Sequence, residues 1–283
     1  MTNDQVITRL PGMGALVSEG GTGFRVWAPN AKEVRLTGTF NHWKKRKKQE
    51  FILEAEEQGF WYGFVPDATA GDEYKFIVKS AYNKLLYRND PYARLLTNSD
   101  GNSIIYDTKG FDWQDDQFQL NSWNQLAIYE LHIGTFHVTE DGKPGTFESA
   151  IEKLPYLRDL GINVIELMPT AEFPGDFSWG YNPSYPFSVE EAYGGPDALK
   201  AFIKAAHEHG IGIILDVVYN HFGPSDIDLW EFDGWSENGG GGIYFYNDDR
   251  SHTPWGNTRP DYGRPEVQQY LRDNALMWLE EFH

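Results

Sequence analysis

An antiparallel β sandwich followed by an incomplete parallel α/β barrel is the architecture this sequence predicts, and three observations predict it. Up to about residue 110, polar and apolar residues alternate in short runs broken by turn residues, the period-2 signature of half-buried strands. From Ala127 onward, apolar strand-like runs alternate with stretches of helical spacing, as expected of a parallel sheet with crossover helices. The stretch from Ile211 to Val218 is almost continuously apolar, as a strand buried on both faces should be. The predicted boundaries are a sandwich over 1–110, a linker over 111–126, and barrel units over 127–283.

In the first part, Thr22-Gly-Phe-Arg-Val-Trp27 alternates and stops at Pro29-Asn30, and Glu33-Val-Arg-Leu-Thr37 alternates again. Gly59-Phe-Trp-Tyr-Gly-Phe-Val65 and Tyr74-Lys-Phe-Ile-Val78 continue the pattern, with Pro66, Gly71 and Asp72 marking the turn between them. The basic run Lys44-Lys-Arg-Lys-Lys48 reads as a solvated loop or an edge that discourages strand pairing.

In the second part, Ala127-Ile-Tyr-Glu-Leu-His-Ile133 is the first strand. Thr146 caps a helix carrying Phe147, Ala150, Ile151, Leu154, Leu157 and Leu160 at helical spacing. Pro155 should kink or restart that helix, and Gly161 should stop it. Ile162-Asn-Val-Ile-Glu-Leu-Met168 is the second strand, and an aromatic-rich loop runs from Pro169 to Gly195. The second helix opens at Pro196 and closes at Gly210, with proline at its start and glycine at its end. The third strand is Ile211 to Val218; a glycine-rich loop then runs from Phe222 to about Gly263, and a third helix begins at Pro265.

Ten Trp, sixteen Tyr and eighteen Phe make the chain rich in aromatic faces, which stack on sugar rings and also fill sandwich cores. The formal charge of −18 repels nucleic acid and anionic membrane but admits a neutral polysaccharide. With no cysteine there is no disulfide framework and no thiolate nucleophile or metal site. The start, Met1-Thr-Asn-Asp-Gln5, lacks the regions of a signal peptide, and no apolar run is long enough to span a bilayer, so a cytoplasmic location is expected.

Chemistry concentrates at the end of the third strand. Asp216 lies near its C-terminal end and Asn220 and His221 follow, on the edge where a parallel barrel carries its active site. His207 and His209, two apart on a helix, point to different faces and form no metal pair.

Phe24-Arg-Val-Trp-Ala-Pro-Asn30, Gly38-Thr-Phe-Asn-His-Trp43, Glu73-Tyr-Lys-Phe76 and Asp90-Pro-Tyr-Ala93 resemble a family 48 carbohydrate-binding module, an immunoglobulin-like sandwich. The resemblance implies glucan contact at Trp43 and Lys75. A second aromatic platform is not obvious, and Tyr82 is the nearest candidate. From about Ile128, the chain resembles the opening of the (β/α)8 TIM barrel of glycoside hydrolase family 13, the α-amylase family. The motifs are Asp216-Val-Val-Tyr-Asn-His221, Tyr129-Glu-Leu-His132, Ile165-Glu-Leu-Met-Pro169, Ser178-Trp-Gly-Tyr181 and Ala192-Tyr-Gly-Gly-Pro196. Tyr262-Gly-Arg-Pro-Glu-Val267 and the segment Asn274 to His283 look most like the branching enzymes of that family.

The resemblance implies that Tyr181 stacks on the sugar at the cleaved bond and that His221 donates to one of its hydroxyls. It implies that Asp216 orients the site without being the nucleophile, and that Asn220 is a calcium ligand or a loop anchor. No cofactor is required, calcium is allowed, and the implied partner is an α-1,4-glucan such as glycogen, amylose or a maltooligosaccharide. The implied reaction is branching, in which an α-1,4 bond is cleaved through a covalent glycosyl intermediate and the chain passes to a 6-hydroxyl. Hydrolysis by a debranching enzyme or a trehalohydrolase stays open, as does a non-catalytic glycogen-binding protein. Retaining chemistry needs two carboxylates about 5 Å apart, and in this family both lie on later strands, beyond an Asp-Gly-x-Arg-x-Asp segment expected past His283. The span 127–283 holds only the first three β/α units, against roughly 250 residues for a closed barrel. The chain is therefore expected to be a fragment that is inactive alone and prone to associate through its open sheet edge.

Overall fold

The computed structural model describes residues 9–43, 51–114 and 116–283; the basic run Lys44–Lys48 lies outside the described residues. The sandwich forms where period 2 places it. Its strands are β1 (Gly14–Ser18), β2 (Gly21–Trp27), β3 (Glu33–Gly38), β4 (Phe51–Ile52), β5 (Glu54–Ala55), β6 (Phe60–Pro66), β7 (Glu73–Lys79), β8 (Leu85–Arg88), β9 (Leu95–Leu96) and β10 (Ser103–Ile104). One sheet runs β1-β2-β6-β5, and the other runs β4-β3-β7-β10-β9 with β8 also paired to β7. Every pairing in both sheets is antiparallel.

Alternation selects the core: Phe24 and Val26 of β2, Val34 and Leu36 of β3, and Tyr74, Phe76 and Val78 of β7 are all buried. Burying each such side chain stabilises the fold by about 2–3 kcal/mol. Tyr74 Oη donates to Asp90 Oδ2 at 2.7 Å, and burial pushes the Asp90 carboxyl up to about 6.

The second part is a parallel sheet ordered β11 (Ile128–Leu131), β12 (Val164–Leu167), β15 (Gly212–Leu215). Its register aligns Glu130 with Glu166 and Glu166 with Ile214. After β11 comes a short helix, α1 (Ile133–Phe136). The predicted Pro155 interruption appears as two helices, α2 (Phe147–Ile151) and α3 (Leu154–Asp159). Thr146 Oγ1 accepts from Ser149 N at 3.1 Å, the expected cap. Helix α4 (Gly195–Glu208) follows as predicted and covers the sheet with Leu199, Phe202, Ile203 and Ala206. Helix α5 (Pro265–Glu281) ends the chain.

Two features depart from the sequence reading. The loop after β12 is not irregular throughout: β13 (Ala171–Glu172) and β14 (Tyr185–Val189) form a hairpin there. Strand β15 spans four residues, shorter than the apolar run Ile211 to Val218, and Ile213, Ile214 and Leu215 are only half-buried. Among the described residues β15 pairs with β12 alone, so one of its edges is unpaired and burial on both faces is not reached.

The two parts meet along an extensive seam. Arg94 is bidentate to Glu281 of α5, with Nη2–Oε1 at 2.6 Å and Nε–Oε2 at 3.1 Å. Lys200 of α4 is fully buried. Its Nζ lies 3.4 Å from Thr108 O and within 5.1, 5.9 and 5.3 Å of the ring centres of Tyr106, Phe111 and Phe282. Asp116 and Phe118 are likewise held: His207 Nδ1 is 2.6 Å from Asp116 Oδ2, and the His207 ring stacks on Phe118. No helix among the described residues is long and apolar enough to cross a membrane.

Candidate active site

Strand β15 delivers Asp216 to the C-terminal edge of the parallel sheet, where Asp216 N donates to Leu167 O at 3.0 Å. The β13–β14 hairpin delivers Tyr181 on its connecting loop. Tyr181 Oη donates to Asp216 Oδ2 at 2.8 Å. Loss of solvent at the hydroxyl, its hydrogen bond to Asp216, and the nearby charges of Glu130 and Glu166 push the phenol up to about 12, so it stays a donor. The residue remains 39% exposed, so its aromatic side chain is open to a ligand in part.

Backbone geometry dictates that arrangement. Gly180 has φ +85, and a Cβ there would sit 2.1 Å from Pro169 O, so only glycine lets the chain turn into Tyr181 at this point. Gly180 N donates to Ser178 Oγ at 3.1 Å, while Ser178 Oγ is also bonded to Asn182 Oδ1. From the strand side, His132 Nε2 lies 2.8 Å from Ser178 O and 3.0 Å from Tyr193 Oη.

His221 joins the cluster through the backbone. Its Nε2 lies 2.8 Å from Tyr181 O. A carbonyl only accepts, so Nε2 carries the proton and Nδ1 is left to accept from Asn220 Nδ2 at 3.3 Å. The ring is 7% exposed and stacked on Trp255, 4.8 Å between centres and 13° apart. Donation from His221 to a sugar hydroxyl therefore requires Nε2 to exchange its partner.

Trp255, Trp179 and Phe177 are 62%, 70% and 67% exposed, an unusual concentration of open aromatic surface in two loops. In the sequence reading Trp179 figures only within the motif Ser178-Trp-Gly-Tyr181, and Trp255 does not figure at all. An exposed aromatic in a polar Gly-Pro turn, as in Thr253-Pro-Trp-Gly256, is the signal that could have found Trp255.

Asn220 is exposed, with its amide turned to His221. Among the described residues no three acidic, imidazole or thiol groups converge to hold a metal ion. The side-chain contact of Asn220 is with the His221 imidazole.

The hairpin base holds two buried carboxylates, Glu172 and Glu190, 1% and 2% exposed. Glu190 Oε2 accepts from Phe173 N at 3.1 Å and Oε1 from Ala192 N at 3.2 Å, while Glu172 Oε2 accepts from Glu191 N at 3.0 Å. Burial first, and Coulomb repulsion within this acidic cluster besides, hold both carboxyls well above the usual range.

In the sandwich, Trp43 is half-buried just past the β3 turn, with φ 53 and its N–H donated to Gly38 O at 2.8 Å. Lys75 lies on β7. Burial lowers its ammonium below the usual lysine value against the pull of Asp228 and Asp100. Tyr82 is 80% exposed in the β7–β8 turn.

Residues 12–93 match the family model for carbohydrate-binding module 48 (isoamylase N-terminal domain), and residues 89–281 match the alpha amylase catalytic domain. The chain belongs to the α-amylase family. Within that family, two curated relatives are named 1,4-alpha-glucan branching enzyme GlgB. The one from Geobacillus stearothermophilus is 38% identical over 93% of this chain, and the one from Oceanobacillus iheyensis 37% over 92%. The chain spans only 42% and 41% of their lengths. A solved structure of a putative alpha amylase from Salmonella typhimurium aligns with a TM-score of 0.81 at 32% identity, covering 97% of this chain and 42% of its own. A pullulanase from Paenibacillus barengoltzii has the same fold, with a TM-score of 0.80 at 24% identity over 96% of this chain and 47% of its own. Asp216, Tyr181 and His221 lie in one cluster beyond the C-terminal end of β15.

Proposed function

We propose that this chain forms the substrate-holding part of a 1,4-α-glucan branching enzyme, whose substrate is an α-1,4-glucan such as amylose or glycogen. The observation that carries this reading is the exposed ring of Tyr181, held by Asp216 through its hydroxyl and by His221 through its carbonyl. An apolar ring face beside fixed hydrogen-bonding groups suits a glucosyl unit, which is apolar on its faces and hydroxylated at its rim. The relatives named as branching enzymes supply the reaction type.

In that reading, Tyr181 stacks under the glucosyl unit at the bond to be cleaved. Asp216, whose Oδ2 is taken by Tyr181, offers Oδ1 to a sugar hydroxyl. His221 Nε2 turns its proton from the Tyr181 carbonyl to the sugar, an interaction that gains strength as the ring flattens towards the transition state. Glycosyl transfer needs two further carboxylates, a nucleophile and an acid/base, which the family assigns to later strands of the barrel. No cofactor is required for this role, and calcium is allowed. Trp43 and Lys75 of the sandwich are proposed as additional glucan contacts.

The test uses the full-length protein and amylose. Branching removes iodine staining without raising reducing ends. Reducing ends rising in step would mean hydrolysis, and glycogen retention without turnover, abolished by Trp43→Ala, would mean a binding protein.

A further inference from the structure

Around residues 228–234 the loop between β15 and α5 is gripped by the sandwich. Arg88, the last residue of β8, reaches across the seam with its side chain 17% exposed. Its Nε donates to Phe232 O at 3.0 Å, and its Nη2 donates to Trp230 O at 3.3 Å and to Glu231 O at 2.9 Å. Its Nη1 lies 3.5 Å from Asp228 Oδ1, whose partner oxygen accepts from Asn89 N at 2.6 Å. Asn30, after β2, donates from both its backbone N and its Nδ2 to Asp233 Oδ2, at 2.8 and 3.0 Å, and Asp233 is fully buried. Gly234 touches the same hairpin: with φ +79, a Cβ there would fall 2.6 Å from Ser80 Cβ.

Three consecutive carbonyls converging on one guanidinium are a demand that only the planar fork of arginine meets. Without it they would lose their donor at a partly buried seam. From this grip the loop is tied stepwise to the site. Glu231 N donates to Gly241 O at 2.8 Å, and Asn247 Nδ2 bridges Gly242 O and Phe245 O, both at 2.8 Å. Thr258 Oγ1 donates to Phe222 O at 2.6 Å, and Tyr262 Oη donates to Tyr219 O at 2.7 Å. Just ahead of those two ties in the loop, Trp255 lies against the His221 ring.

We infer that Arg88 and Asn30 are positioning residues: the sandwich, through them, sets the loop that packs Trp255 on His221 and so shapes the glucan site. This rests on the branching-enzyme reading for the identity of the substrate, but not for the grip itself. It gives the sandwich a role in the reaction that does not depend on the sandwich binding glucan.

The test compares full-length wild type with Arg88→Ala, Arg88→Lys and Asn30→Ala, the last removing only one hydrogen bond to Asp233 should Arg88→Ala fail to fold. Two quantities are read: kcat and KM for amylose, and amide hydrogen exchange across 236–262. The expectation for Arg88→Ala is a KM raised roughly tenfold with kcat within about threefold, and loop exchange about tenfold faster while β2 and β7 stay protected. Arg88→Lys keeps the charge beside Asp228 but not the fork, and should stay closer to alanine than to wild type. Asn30→Ala should change both readouts in the same direction by less. Unchanged loop exchange, or faster exchange spread evenly over sandwich and barrel, would overturn the inference. If wild type turns over no α-glucan, the branching reading falls while hydrogen exchange still decides whether Arg88 holds the loop.

Discussion

At Tyr181 one side chain does two jobs that compete for it. The hydroxyl must stay anchored to Asp216 so that the ring keeps its tilt, and the ring must stay bare so that a sugar can lie on it. The two substitutions at this position separate those jobs. In the full-length protein, Tyr181→Phe keeps the ring and should lower kcat/KM for amylose about tenfold. Tyr181→Ala removes the face as well and should cost about a further tenfold. Equal losses would show that the hydroxyl alone matters and would undo the stacking role. Asp216 and His221 are legible in the sequence beside a strand end, and Tyr181 through the resemblance carried by Ser178-Trp-Gly-Tyr181. Trp255 is not, because its meeting with His221 is a long-range contact that leaves no local period. The tautomer of His221 was equally hidden, being set by a backbone carbonyl rather than by any side chain the motif contains.

Among the elements, the β13–β14 hairpin has the most specific chemistry. Its two ends are joined by backbone hydrogen bonds to Glu172 and Glu190, and no described lysine or arginine pairs with either carboxylate. Their native-state pKa values are raised above those of the unfolded chain, so the folded protein holds protons that the unfolded chain releases. Stability from this pair is complete below the usual carboxylate range and is lost as pH rises through neutrality towards the raised native values. Glu172→Gln, which keeps an acceptor for Glu191 N without the charge, should narrow the fall in Tm between pH 6 and pH 9 by about 3 °C. An unaltered pH profile in a thermal melt would place the titration elsewhere. The sequence reading took this whole segment as loop. Four prolines, at 169, 174, 183 and 186, the last inside β14, and the Gly175 and Gly180 turns mask a pair of strands only two and five residues long. The helices were easier to read, since proline at the start and glycine after the end mark α4 in any context.

For the molecule as a whole, the boundary between sandwich and barrel is better described as a joint than as a linker. The stretch read as a connector at 111–126 contributes Asp116 and Phe118 to His207, and Arg94 grips Glu281 near the end of α5. Composition and periodicity revealed the two architectures because each is written within a short window. The joint is written across the full length of the chain, in pairs that neither window contains.

Lys200 shows what such a joint means for a chemist with a reagent. Among the described residues it is the one lysine buried in full, walled by Tyr106 of the sandwich, Phe111 of the linker and Phe282 just past α5. An amine-acylating reagent should mark the surface lysines within minutes and leave Lys200 untouched, so its acylation becomes a clock for the joint opening, read peptide by peptide in a mass spectrometer. If Lys200 is labelled as fast as Lys84 or Lys109 in the folded full-length protein, the enclosure does not hold in solution.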